Sequence, residues 1–139
     1  MAIQPYLFFD GRCEEAVVFY RDALGAEVEM MMRYRDAPDT PPGAHADFGD
    51  KIIHASLKLG DTVLMLSDDC MAHPKFQGFA LSIDVPDANA AATKFKALSD
   101  GGKVTMPLGE TFFSPCFGMV EDRFGVSWMV IVSMPCPES

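Results

Sequence analysis

The chain has 139 residues, 49% of them hydrophobic, and a formal net charge of −9 at pH 7. Its length suits one compact domain or two small, closely associated ones, and its apolar fraction is enough for a sizeable core. Scattered acidic residues in this excess would repel a phosphate backbone, so we expect no nucleic-acid partner. No apolar run approaches the ~20 residues that span a bilayer, and no secretory leader is visible, so we expect a cytoplasmic protein with no membrane partner.

The first half of the chain predicts the element order β-α-β-β-β. Residues 13–24 carry apolar side chains at helical spacings, with Glu14 and Glu15 in the first turn and Gly25 directly after the last. The predicted elements are a strand over 3–9, a helix over 13–24, a strand over 26–34 and two strands between 52 and 67. A loop rich in Pro and Gly occupies residues 35–49.

The second half predicts the same order after a linker over residues 68–77. Its predicted elements are a strand over 78–85, a helix over 86–98, a strand over 103–106, a loop over 107–115 and a hairpin over 117–132. In the hairpin, Asp122 can bind its own backbone two residues on, and Gly125 can adopt a positive φ. These two residues therefore predict a tight turn.

The two halves can be superposed element by element. Gly25 and Gly101 each end a helix, and Gly60 and Gly125 each lie in a hairpin turn. The extra length of the first half falls in its Pro/Gly loop, where an insertion costs least. The matched order predicts an internal repeat, with a first module over 1–67 and a second over 78–134.

Several short motifs carry a resemblance to a known family. They are Pro5-Tyr6-Leu7, Cys13-Glu14-Glu15-Ala16 with Phe19-Tyr20, His54-Ala55, Leu64-Met65-Leu66-Ser67-Asp68, and Asp122-Arg123-Phe124-Gly125-Val126 with Trp128. With these motifs on paired modules, the chain resembles the vicinal oxygen chelate superfamily (glyoxalase, bleomycin resistance and dioxygenase proteins), and within it the PhnB-like branch. The resemblance implies an α+β fold in which eight strands of two βαβββ modules curl around a cavity with helices outside. It also implies a homodimer.

Enzymes of that superfamily hold a metal through His and Glu side chains on particular strands. The matching positions here are 3–5, 64–66, 77–79 and 128–129, and none is His, Asp or Glu. A catalytic metal site needs about three such ligands, so we expect no metal and no cofactor at these positions. An atypical divalent metal stays open, held by His54 with the loop residues His45, His73 or Glu110. No Walker, GxGxxG or S-adenosylmethionine motif is present, so nucleotide cofactors and methyl transfer are not implied.

His54 is the candidate catalytic residue. It alternates with Ile53, Ala55 and Leu57 along its strand, so it faces away from the helix side and, in this fold, toward the cavity. There it could donate a hydrogen bond to a ligand or act as a general base. The competing interpretation is a structural histidine, since no carboxylate that would orient it is visible.

Six further residues are candidates for ligand binding. Arg33 could grip a carboxylate or phosphate, Glu110 could belong to a loop over the site, and the others could line an apolar pocket. These other residues are Tyr6, Phe117, Trp128 and Met129. Each also has a plain structural interpretation, as a core residue, a solvated charge or a surface loop residue; His45 and His73 are expected to be exposed loop histidines.

Two functions follow from these residues and the resemblance. The first is a small-molecule-binding protein of the PhnB-like branch; if it is an enzyme, we expect a lyase, isomerase or dioxygenase acting on a small oxygenated substrate, with His54 as base. The alternative is a non-catalytic protein that sequesters an apolar or planar compound, as resistance proteins of this fold do.

Overall fold

The computed structural model describes residues 1–36, 49–69 and 72–133. The chain divides into two compact units, Met1–Lys75 and Phe76–Ser139, with the boundary inside the predicted linker. In the described residues the chain forms two helices and eight strands, in two four-stranded sheets. Each unit has the order βαβββ, so the predicted α+β class and the paired modules are confirmed. Neither helix is long or apolar enough to span a bilayer.

The first unit builds its sheet around one parallel strand pair. Its elements are β1 (Tyr6–Phe9), α1 (Cys13–Leu24), β2 (Glu27–Arg33), a 3₁₀ turn (Tyr34–Asp36), β3 (Ile52–Leu59) and β4 (Thr62–Asp68). The sheet order is β1-β4-β3-β2, with β1 parallel to β4 and the other pairs antiparallel. The helix bounds match the prediction, and Gly25 ends the helix at φ 72° while donating its N–H to the Arg21 carbonyl.

The second unit repeats this topology. Its elements are β5 (Leu81–Val85), α2 (Ala88–Ser99), β6 (Lys103–Gly109), β7 (Cys116–Glu121) and β8 (Ser127–Val132). The sheet order is β5-β8-β7-β6, with β5 parallel to β8. Asp87 caps α2 by accepting the N–H of Ala90 at 2.8 Å, as expected for a short side-chain acceptor at a helix start.

Three predicted strand bounds are wrong, each because pairing rather than local sequence decides the end of a strand. β1 begins at Tyr6 instead of residue 3, where its register with Met65 of β4 begins. β5 begins at Leu81 instead of residue 78, opposite Trp128. β6 continues past Pro107 to Gly109, which pairs with Phe117; proline is tolerated because β6 is an edge strand.

Each helix covers one face of its own sheet. In α1 the buried residues include Ala16, Val17 and Tyr20, and α1 contacts β2, β3 and β4. In α2 the buried residues are Ala91, Phe95 and Leu98. Contact between α2 and its sheet is close, since a Cβ added at Gly118 of β7 would lie 2.8 Å from the Phe95 ring. These contacts identify the helix-covered face of each sheet, and the opposite side is called the open face below.

Candidate functional site

The open face of the first sheet carries aromatic, sulfur-containing and imidazole side chains. On β1, Leu7 and Phe9 are buried, whereas Tyr6 and Phe8 are 36% and 45% exposed, so these two lie on the open face. One row across the four strands is set by direct register partners, which share a face of the sheet. In strand order it contains Tyr6, Met65, Ser56 and Met30. A neighbouring row pairs Phe8 with Ser67, and His54 with Met32.

His54 and Tyr6 are joined by a hydrogen bond within this face. The Tyr6 hydroxyl lies 3.1 Å from Nδ1 of His54, although the two residues are 48 positions apart and β4 separates their strands. The rings are tilted at 47° with centroids 5.7 Å apart. Tyr6 also stacks on Phe8 at 4.7 Å, which restrains the phenol ring. The Tyr6 hydroxyl thus orients the imidazole of His54. The sequence had indicated no residue for this role.

The surroundings of this pair, which we call the Tyr6–His54 site, are apolar and adaptable. Met30, Met32 and Met65 occupy register positions beside Ser56 and His54. Methionine has three rotatable bonds and a polarisable sulfur, so it adjusts to ligands of different shape. Ser56 lies between Met30 and Met65 and has the smallest side chain in its row. The site can therefore accept an apolar body together with one polar contact.

Arg33 lies at the end of β2 and is engaged by the protein itself. Its guanidinium forms a two-pronged salt bridge with Glu14 of α1 and also donates to the carbonyl of Asp50 at 2.6 Å. This hydrogen-bonded pairing lowers the pKa of Glu14 and raises that of Arg33. The contacts join the start of α1 to the end of β2, which is a structural role. The predicted role of Arg33 in ligand binding stays a prediction.

Three of the predicted ligand residues lie on two different faces of the second sheet. Trp128 is 3% exposed and lies on the helix-covered face. Gly118 faces Phe95 of α2, Val130 pairs with Gly118, and Trp128 is two positions from Val130 on the same strand, so all three share that face. Phe117 pairs with Ile131, two positions from Met129, so Phe117 and Met129 share the open face. This placement gives Trp128 a packing role and leaves Phe117 and Met129 as the predicted pocket residues of this unit. Their ligand-binding roles stay predictions.

Trp128 is held by a buried carboxylate that the sequence did not single out for this role. Its indole N–H donates to Oδ2 of Asp122 at 2.8 Å, while Oδ1 of Asp122 accepts the N–H groups of Phe124 and Val126. Asp122 is only 3% exposed. Asp68 plays a comparable part in the first unit, accepting the N–H groups of Cys13 and Ile52 at 2.9 Å each. Both buried aspartates are thus satisfied by donors and serve the fold.

The remaining candidates lie in exposed segments or outside the described residues. His73 is exposed and contacts Asp10, with 2.9 Å between Nδ1 and Oδ2. Glu110 is exposed directly after the end of β6. His45 lies outside the described residues. Within the first unit, the recorded side-chain partner of His73 is therefore Asp10 and not His54.

The family is settled by comparison with known proteins. Residues 2–130 match the model of the Glyoxalase/Bleomycin resistance protein/Dioxygenase superfamily. The chain belongs to this superfamily. It is 32% identical to Protein YjdN of Escherichia coli (strain K12), over 95% of both chains. This superfamily is the one that the sequence motifs resemble.

The chain is also similar to solved structures. Protein PA1353 from Pseudomonas aeruginosa is 43% identical, with a TM-score of 0.87 and coverage of 97% of this chain and 99% of that one. The PhnB protein from Bacillus cereus, which also bears the name of a 3-demethylubiquinone-9 3-methyltransferase, is 28% identical. Its TM-score is 0.79, and the match covers 96% of this chain and all of that one. The chain is therefore PhnB-like in sequence and in fold.

The usual metal of the superfamily does not fit the described residues. Residues 1–36, 49–69 and 72–133 contain no group of three or more His, Cys, Asp or Glu side chains that could hold an ion. His54, the imidazole on the open face, has Tyr6 as its hydrogen-bond partner rather than a carboxylate. The atypical site, formed by His54 with His45, His73 or Glu110, stays a prediction.

Proposed function

We propose that this superfamily member binds a small molecule on the open face of its first sheet, at the Tyr6–His54 site. The observation that carries the proposal is the 3.1 Å contact between the Tyr6 hydroxyl and Nδ1 of His54. A polar pair among aromatic and methionine side chains is the usual composition of a ligand site, in which a few polar groups orient the ligand. The pair is not part of the core that α1 forms with the sheet, because α1 packs on the opposite face.

Two versions of this function remain proposals. In the first, the bound compound is turned over by lyase, isomerase or dioxygenase chemistry and His54 takes part in proton movement. In the second, the compound is only sequestered; the methionines of the site favour this version, since flexible thioether walls suit loosely specified apolar ligands. A homodimer, implied by the resemblance, and a cytoplasmic location, expected from the sequence itself, also stay predictions.

The test compares two histidine substitutions. A library of small oxygenated metabolites is screened by ligand-detected NMR against the full chain, and each hit is measured again with His54→Ala and His73→Ala. We expect His54→Ala to weaken binding about tenfold or more, since it removes a hydrogen bond and part of the site wall. His73→Ala is the matched control, because His73 is an exposed histidine elsewhere in the same unit.

Turnover separates the two versions. If the protein is an enzyme with His54 as its proton-transfer group, His54→Ala should lower kcat by about 100-fold or more. A sequestering protein should show no turnover with any hit and should lose only affinity in the variant. Equal binding by the His54→Ala variant and the parent protein would refute the Tyr6–His54 site.

A further inference from the structure

The contact between Tyr6 and His54 can be made in two ways, and they give the site opposite chemistry. If the Tyr6 hydroxyl donates to Nδ1, a neutral ring must carry its proton on Nε2 and offers an N–H donor. If Nδ1–H donates to the phenol oxygen, Nε2 is bare and acts as an acceptor or base. Which nitrogen is protonated in a histidine is decided by the partner of the other nitrogen. Tyr6 is that partner here.

The first arrangement is the stronger hydrogen bond. The phenolic O–H is an acidic donor, and the bare nitrogen of imidazole is a good acceptor. The phenol oxygen is a weaker acceptor, because one of its lone pairs is delocalised into the ring. In the described residues the Tyr6 hydroxyl has His54 as its recorded partner, so the reverse arrangement would leave the stronger donor without a protein acceptor.

We infer that Tyr6 is a positioning residue that holds His54 in the Nε2–H form, so that the site donates a hydrogen bond to a carbonyl oxygen of an apolar, planar ligand. This inference rests on the proposed function for its ligand, but the state of the ring exists without one. Of the two roles that the sequence leaves open for His54, the resting protein then has the hydrogen-bond donor rather than the general base.

The surroundings of the site favour a neutral carbonyl over a carboxylate. A carboxylate needs a cation to offset its desolvation. Arg33, which follows Met32 at the end of β2, is already paired with Glu14 through both of its terminal nitrogens. Lys58 also lies on this face, four positions from His54 along β3, and its register partner on β2 is the acidic residue Glu27. Around His54 itself the face presents the stacked aromatic rings of Tyr6 and Phe8 and the methionine side chains. Planar rings and thioethers suit an uncharged aromatic body.

The tautomer is measured directly by ¹⁵N NMR of the histidine rings in the full chain. Two-bond nitrogen–proton correlations distinguish a protonated ring nitrogen from a bare one. Spectra are recorded near pH 8.5, where an ordinary imidazole, with a pKa of about 6.5, is neutral. His54→Gln assigns the signals by removing them, and Tyr6→Phe removes only the hydroxyl. We expect the Nε2–H form in the parent protein and a mixture of both forms in Tyr6→Phe, an effect that a merely structural tyrosine would not produce.

Two probes test the ligand class. Acetophenone carries the carbonyl acceptor, and ethylbenzene has a closely similar shape without it. We expect acetophenone to shift the Nε2 and attached proton signals and to bind about three- to tenfold more tightly than ethylbenzene, as one net hydrogen bond allows. We also expect this preference to shrink toward onefold in His54→Ala.

The outcomes separate the inference from the proposed function. An Nδ1–H ring in the parent protein, or an Nε2–H ring equally populated in Tyr6→Phe, would overturn the positioning role even if both probes bind. Equal affinity for the two probes would overturn the carbonyl preference. An Nε2–H ring that neither probe perturbs would overturn the ligand class and count against the proposed function, while the tautomer would stand.

Discussion

The buried contact between Asp122 and Trp128 predicts a large and specific loss of stability in Asp122→Asn. The carboxylate accepts three hydrogen bonds, from the N–H groups of Phe124 at 2.9 Å and Val126 at 3.0 Å and from the indole of Trp128 at 2.8 Å. An amide has the same shape but only one acceptor oxygen. Whichever way it is turned, its NH₂ group faces at least one donor.

The expected cost follows from these contacts. A hydrogen bond to a charged group contributes roughly 1.5–3 kcal/mol, and a buried donor without an acceptor costs about 1–3 kcal/mol. We therefore expect Asp122→Asn to lower the free energy of unfolding by about 2–4 kcal/mol. In a Trp128→Phe background the amide no longer opposes the indole donor. The same change should then cost about 1–2 kcal/mol less, measured as the coupling energy of a double-mutant cycle.

The assay is urea unfolding followed by far-UV circular dichroism, since the chain's one tryptophan is itself altered in the cycle. Asp84→Asn is the matched control: its carboxylate is exposed and accepts a hydrogen bond from Ser133 at 2.7 Å. That change should stay within about 0.5 kcal/mol. A cost for Asp122→Asn as small as the control's, or a cost unchanged by Trp128→Phe, would refute the role of the carboxylate as acceptor for the indole.

Three further expectations follow from the packing and the charges. Gly118→Ala should destabilise the protein by about 1–3 kcal/mol in denaturant titrations, because the added Cβ lies within 2.9 Å of two side chains, whereas Gly109→Ala meets no atom within 4 Å and should be close to neutral. Burial raises the pKa of the Cys13 thiol, so peptide-resolved alkylation at pH 8 should be at least about 100-fold slower in the native than in the denatured protein; equal rates would contradict its burial. Arg33 lowers the pKa of Glu14, so the stabilisation that this pair gives the folded protein is present above the ordinary glutamate pKa and is lost as the pH falls through the pKa of Glu14 in the folded protein. Glu14→Gln should therefore flatten the acid limb of the unfolding free energy plotted against pH, and an unchanged limb would count against the pairing.

Local signals predicted the parts of the fold that local chemistry decides. The bounds of α1 agree with its apolar spacing, and Gly25 adopts the left-handed conformation that a helix-ending glycine favours. In the closing hairpin, Asp122 accepts the N–H of Phe124 two residues on, and Gly125 has φ 91°, as the turn chemistry predicted. These features depend on residues close together in the chain, so the sequence contains all the information they need.

Features that depend on distant partners could not be predicted in the same way. Ile3 and Phe79 are as apolar as the strands that follow them, but the registers of β1 with β4 and of β5 with β8 begin later. The hydrogen bond between Tyr6 and His54 crosses β4, so it depends on the sheet order rather than on any spacing along the chain. Period-two alternation along the strand did predict that His54 faces away from the helix. Its partner Tyr6 could be found only from the order of the strands in the sheet.

The most direct test of the Tyr6–His54 site uses the methionine methyl groups as reporters. The chain is labelled with ¹³C at the methionine methyls, assigned by single substitutions of Met32 and Met65, and titrated with the tightest compound from the ligand screen. The proposed function predicts saturable shifts of Met32 and Met65, which flank His54 and Tyr6 by register, with the same dissociation constant as the His54 ring signals. Saturable binding that leaves Met32, Met65 and His54 unperturbed would contradict it and place the ligand elsewhere on the molecule.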